Sequence, residues 1–260
     1  LARKPKPRNP KIEFDELQMY FGKPYVIDLE SAEGSITIYQ PTIGDIIDIG
    51  ENKFFSSLSA IVSNTTQYKV MLWDLGMDWN KTSDFELFIL LHKSISDEVS
   101  QLLFHLNFSE FEVYERTLHD VTEVVMYSKK YKIAIDKNVF DHMAQYLQNV
   151  FQIKPEEKIT SDPVLKRLFL DKDRRQQERE AKKDIDNTSN LKSIISACVN
   201  HPGFKYRKDE LKELCVCEFY DSVQRLQIYE STTALMKGMY SGFVDGSKIK
   251  PEDYNFMKSF

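Results

Sequence analysis

Apolar positions recur at steps of three and four from Phe219 through Val223, Leu226, Tyr229, Thr233, Met236 and Tyr240 to Phe243, which places them along one seam of a long helix. Before it, residues 191–214 predict a short helix, a break at His201-Pro202-Gly203 and a second short helix. Toward the N-terminus the period changes to two. Residues 24–29 and 35–40 alternate around Ser31-Ala32-Glu33-Gly34 and predict a β-hairpin, and strand character returns at 111–115, 123–127 and 131–135. Thr42 with Asp45, and Ser83 with Glu86, have the spacing of helix-opening capping boxes; Asp136 opens another helix and Gly50 predicts a bend. These elements predict a helix-rich α+β fold with one small antiparallel sheet, helices on one of its faces and a C-terminal helical bundle.

Two stretches lack a buried face. Residues 1–10 carry Arg3, Lys4, Lys6 and Arg8 between prolines, which predicts an extended basic arm that needs a partner to order it. The helix opened by Asp162-Pro163 runs into 171–183, which has no apolar stripe and mixed charges, and predicts a solvated spacer carrying i,i+4 pairs. The expected organisation is therefore an arm at 1–10, a main domain at 11–160, a spacer at 161–190 and a helical domain at 191–260.

Composition narrows the function classes. An apolar fraction of 42% with 17 Phe and 13 Tyr supplies a sizeable core, and a net charge of −5 gives the whole molecule no general attraction to nucleic acid or acidic lipid. Three cysteines form no disulfide framework and suit a reducing compartment, and no apolar run is long enough to span a membrane. An intracellular product is expected, with at least one residue before Leu1, since the chain does not open on Met.

Candidate chemistry is sparse. Cys198, His201, Cys215 and Cys217 have spacings from which a zinc site could be assembled, yet ordinary helix separates the two pairs, and buried packing thiols are the expectation. Trp73 and Trp79 are expected as core anchors, with Asp74 and Asp78 capping neighbouring helices. His92, His105, His119 and His142 are scattered, and no nucleophile elbow, metal-binding helix motif or phosphate-binding loop is present. Neither an enzyme nor a cofactor nor a small-molecule substrate is expected.

Gln40-Pro41-Thr42-Ile43-Gly44-Asp45-Ile46 with Gly50-Glu51, Met71-Leu72-Trp73-Asp74 with Asp78-Trp79 and Asp84-Phe85-Glu86-Leu87-Phe88, and Glu218-Phe219-Tyr220-Asp221-Ser222 with Met239-Tyr240-Ser241-Gly242 resemble tail and baseplate morphogenesis proteins of tailed bacteriophages of Gram-positive hosts. The resemblance implies a non-enzymatic structural subunit or assembly chaperone in the host cytoplasm or the virion, with other tail or baseplate proteins, or a second copy, as partners. The expected contact residues are Phe219, Val223, Leu226, Tyr229, Met236, Tyr240 and Phe243 on the seam, with Arg3 and Lys4 on the arm. The alternative is a DNA-binding regulator that uses a helix-turn-helix at 193–214, with Lys205, Arg207 and Lys208 near phosphates.

Overall fold

The computed structural model describes residues 10–29, 34–118, 121–182 and 189–258. The hairpin turn at 31–33, His119 and the arm residues Arg3 and Lys4 lie outside them.

Local signals set most of the element boundaries. The Asp15 carboxylate accepts from the N–H groups of Leu17 and Gln18 and opens α1 (Glu16–Tyr20). β1 (Tyr25–Asp28) pairs antiparallel with β2 (Ser35–Ile38), Ile27 opposite Ile36. Ile27, Ile36 and Ile38 point into the core while Val26 faces out, as a half-buried hairpin requires. Thr42 and Asp45 form the reciprocal capping box of α2 (Ile43–Ile49). Gly50, at φ 97°, ends α2 and starts α3 (Glu51–Val62) in a conformation that side-chain-bearing residues rarely adopt. After α4 (Lys69–Asp74), the Ser83–Glu86 box opens α5 (Asp84–Leu91), and α6 (Asp97–Phe104) follows. β3 (Glu112–Leu118), β4 (Val121–Ser128) and β5 (Ile133–Ile135) form a meander, and the Asp136 carboxylate accepts from the Val139 N–H to cap α7 (Lys137–Val150). Then come α8 (Pro163–Lys182), α9 (Asn190–Val199) and α10 (Val216–Tyr240).

The architecture is helix-rich α+β, with one correction to the expected sheet. The hairpin and the meander are two separate antiparallel sheets, because the chain leaving β2 turns to α6: the Tyr39 N–H donates to the Leu103 carbonyl at 2.8 Å. α7 lies against both sheets and joins them through side chains instead of strand pairing.

A cluster of phenylalanines fills the centre. Phe88 stacks on Phe140 with centroids 4.8 Å apart and meets Phe108 edge-on at 5.5 Å. The same core takes in Leu191, Leu211, Leu214, Val216 and Phe219. Backbone bonds tie the later part of the chain to the earlier one: the Val216 N–H donates to the Pro41 carbonyl and the Ile43 N–H to that of Leu214, each at 3.0 Å. Residues 191–219 are thus built into the body formed by the preceding elements.

The charged helix is docked over its first half, a contact that the expected solvated spacer did not include, while residues 174–180 are exposed and Gln176 donates to the Glu180 carboxylate one turn on. Leu170 is buried with Val70, Leu72, Trp79 and Leu87. Lys69, 4% exposed at its side chain, pairs with Asp173; Lys166 pairs with Asp78 at 2.6 Å, and Arg174 with Asp74. Among the described residues the ion pairs of α8 run across to the α4 segment and not along the helix. The same pairs correct the expected capping roles of Asp74 and Asp78, whose carboxylates hold α8. Trp79 is fully buried and donates Nε1–H to the Lys158 carbonyl at 3.2 Å, whereas Trp73 is 43% exposed at the edge of this small cluster. No helix of the described residues is long and apolar enough to cross a membrane.

Candidate partner-docking surface

α10 is rooted in the body at its N-terminal end and leaves it along its length. Cys215 precedes it with extended backbone, and Val216, Cys217 and Phe219 are buried. Tyr220 packs against Phe151, the residue following α7. Phe219 is 0% exposed, which corrects its expected role: it belongs to the chain's own core and is closed to a partner. Val223 and Leu226 are half-buried, Val223 against the main core and Leu226 close to the turn at Gly203.

Beyond Leu226 the seam opens. Tyr229 and Met236 are exposed, and Tyr240 and Phe243 reach 84% and 91% exposure. The neighbouring face, reaching the seam at Tyr229, is covered by the chain's own continuation. Gly242, at φ 78°, reverses the backbone, and the Val244 N–H donates back to the Gly238 carbonyl at 3.1 Å. The segment then returns through 3-10 turns at Gly246–Lys248 and Pro251–Tyr254. The Arg225 guanidinium donates to the carbonyls of Phe256 and Lys258, and Tyr229 meets the Phe256 ring edge-on. Thr232 is buried on this helix, while Tyr254, Phe256 and Met257 add further exposed apolar surface. Large apolar side chains gathered at the end of one helix and on the strip folded against it form a surface suited to being covered, because each buried side chain contributes about 1.5–3 kcal/mol.

The second short helix, on which the alternative helix-turn-helix reading depends, is not formed. In place of a second helix there is a single 3-10 turn at Glu210–Lys212, because Leu211 and Leu214 are drawn into the core. The Arg207 N–H is taken by the Glu210 carboxylate, and Tyr206 donates its hydroxyl to Glu218 at 2.8 Å. No continuous helix is available there to enter a groove of DNA.

The cysteine and histidine positions do not converge. Among the described residues no group of three or more His, Cys, Asp or Glu is placed to hold a metal ion. His201 accepts from the Gly203 N–H at Nδ1 and faces Glu230 through Nε2 at 3.2 Å; Cys215 contacts the Tyr20 carbonyl. The other described histidines also have local partners: Nδ1 of His92 with the Ile89 carbonyl, the His105 ring with Tyr39, and His142 with the Tyr25 hydroxyl at 2.7 Å.

Burial raises the pKa of all three thiols, and that of Cys217 is pushed up to about 12, with neighbouring Cys215, Asp221 and Glu218 adding to the effect. At pH 8 roughly one Cys217 in ten thousand is thiolate. Iodoacetamide is therefore expected to modify Cys217 only as fast as the protein unfolds, read by peptide mass spectrometry against a urea-unfolded control. The sign of the linkage follows: the unfolded thiol ionises from its usual value of 9.0 while the folded one stays neutral, so this group's contribution to stability is complete below that value. It is lost as pH rises from there to about 12.

The seam was legible as a period, but sequence did not show which part of it the chain keeps for itself; the buried Val216-Cys217 step beside Phe219 is the local signal that separates root from distal end. A family model described as YomV second domain matches residues 180–260, which carry α9, α10 and the returning segment; YomV is a phage-associated protein from a Gram-positive host. No curated protein and no solved structure matches the chain.

Proposed function

We propose that this chain is a non-enzymatic protein of phage tail or baseplate assembly, acting as a structural subunit or an assembly chaperone by docking the distal part of α10 and its returning segment onto another protein. The observation that carries this is the exposure of Tyr240 and Phe243 at the end of a helix whose other end is fixed in the core. Exposed aromatics on a rigid support lose little conformational freedom when covered, the property that makes them binding hot spots. Similarity of residues 180–260 to a domain of a phage-associated protein supports the biological setting, and the motifs around Gln40, Trp73 and Met239 support the tail assignment.

Tyr240→Asp and Phe243→Asp are each expected to weaken capture of the tail-fraction partner by about tenfold or more, by removing roughly 1.5–3 kcal/mol of apolar burial. Thermal unfolding should stay unchanged, because neither side chain packs on the body. Mass spectrometry of purified particles beside the lysate then separates the two roles: a subunit is found in both, a chaperone in the lysate alone. Capture unaffected by both substitutions and by Met236→Asp would remove the distal surface as the docking site.

A further inference from the structure

A half-open cavity of about 320 Å³ lies between α2, α9 and the turn at Glu210–Lys212. Its floor is apolar, built from Ile43, Ile47, Leu191, Ile195 and Leu211; Ile47 is 48% exposed despite being a large aliphatic residue. Lys192, Lys208 and Lys212 line it as well. Among the described residues none of these lysines has an ion pair. The lining carboxylate, Glu51, is already committed: one oxygen accepts from the Ser189 hydroxyl and the other from the Leu191 N–H at 3.0 Å, which fixes the start of α9. Asp209 and Glu213 flank the turn but do not line the cavity. Beside the groove α2 meets the turn directly, since a Cβ on Gly44 would come within 2.9 Å of the Lys212 carbonyl oxygen.

We infer that this groove receives a short acidic segment of another protein, with large apolar side chains on the floor of Ile43, Ile47 and Leu211 and carboxylates against Lys192, Lys208 and Lys212. The three lysines are exposed around an apolar floor, so their field attracts carboxylates and would repel a basic occupant. The cavity has room for one or two large side chains, which suits a peptide-like segment and not a folded domain. The groove is separate from the distal end of α10, so the inference goes beyond the tail-assembly reading and stands or falls without it.

The test is selection of a displayed random-peptide library on the intact protein, followed by anisotropy titration of the enriched peptides. Enriched sequences should carry Asp or Glu around Leu, Ile, Phe or Trp. Their affinity should fall by about tenfold or more in the combined Lys192→Glu, Lys208→Glu, Lys212→Glu variant, and should weaken between about 0.05 and 0.3 M salt. Ile47→Asp should abolish binding while retaining the circular dichroism of the parent, because its side chain is exposed. Four results would overturn the inference: no acid-rich enrichment; equal binding by the triple variant; a small molecule seen by native mass spectrometry on the parent and lost from the triple variant; or self-association lost in that variant, which would make the occupant a second copy.

Discussion

Phe88→Ala lowers the unfolding free energy by about 3–5 kcal/mol, with a fall in the melting temperature of about 10 °C. The ring is 0% exposed and bridges elements distant in sequence: its own α5, Phe140 of α7 and Phe108 of the turn before β3. Removing it takes away the transfer energy of a large apolar side chain and leaves a space its neighbours cannot close, because Phe140 and Phe108 are held by further rings. Urea titration should show a lower midpoint with an unchanged slope, since the surface exposed on unfolding stays nearly the same. Phe88→Leu, which fills more of the space, should cost about 1–2 kcal/mol. A loss below about 1 kcal/mol for the alanine variant would show that the centre is not closed around this ring.

Asp173→Ala costs about 2–4 kcal/mol and releases α8 from the α4 segment. Lys69 is the reason: its side chain is 4% exposed, and without the carboxylate its ammonium keeps, among the described residues, the Thr66 carbonyl at 3.2 Å. An unpaired charge at that depth costs more than the pair stabilises, although the partial exposure of Asp173 keeps the effect below that of a fully buried pair. Hydrogen exchange should accelerate in 163–182 while β3, β4 and β5 remain protected. The double variant Lys69→Met, Asp173→Leu should recover most of the loss, because it replaces the ion pair by apolar volume beside Leu170. Failure of the double variant to recover stability would mean that Arg174 with Asp74 and Lys166 with Asp78 hold the helix instead.

What sequence revealed and what it withheld divide along sequence separation. The boxes at Thr42 and Ser83, the cap at Asp136 and the break at Gly50 act within three or four residues, and each stands where the local pattern placed it. The single-sheet expectation failed because strand pairing between segments about a hundred residues apart competes with helix packing, and no local pattern decides that contest. The docking of α8 was hidden for a related reason. Its basic and acidic residues look self-balancing in sequence, yet their partners Lys69, Asp74 and Asp78 lie 88 to 104 residues earlier in the chain. The second short helix was lost to tertiary demand, as the burial of Leu211 and Leu214 reshaped a segment of adequate helical propensity. At the docking surface, helical period identified Tyr240 and Phe243 but could not tell them from Phe219, because a periodic stripe records that a face is apolar and not what covers it.

The 25-residue α10 spans roughly 37 Å, and its deepest anchorage lies in the first turn. Such a helix behaves as a cantilever. Its root at Val216, Cys217 and Phe219 is backed by the Val216–Pro41 and Ile43–Leu214 bonds at the start of α2, and Val223, Leu226 and Glu230 hold it further along. The returning segment braces the beam twice, through Arg225 near its middle and through Val244 at Gly238 in the last turn. A partner covering Tyr240 and Phe243 therefore meets a preformed rod held from Val216 to Glu230, and little ordering accompanies its docking.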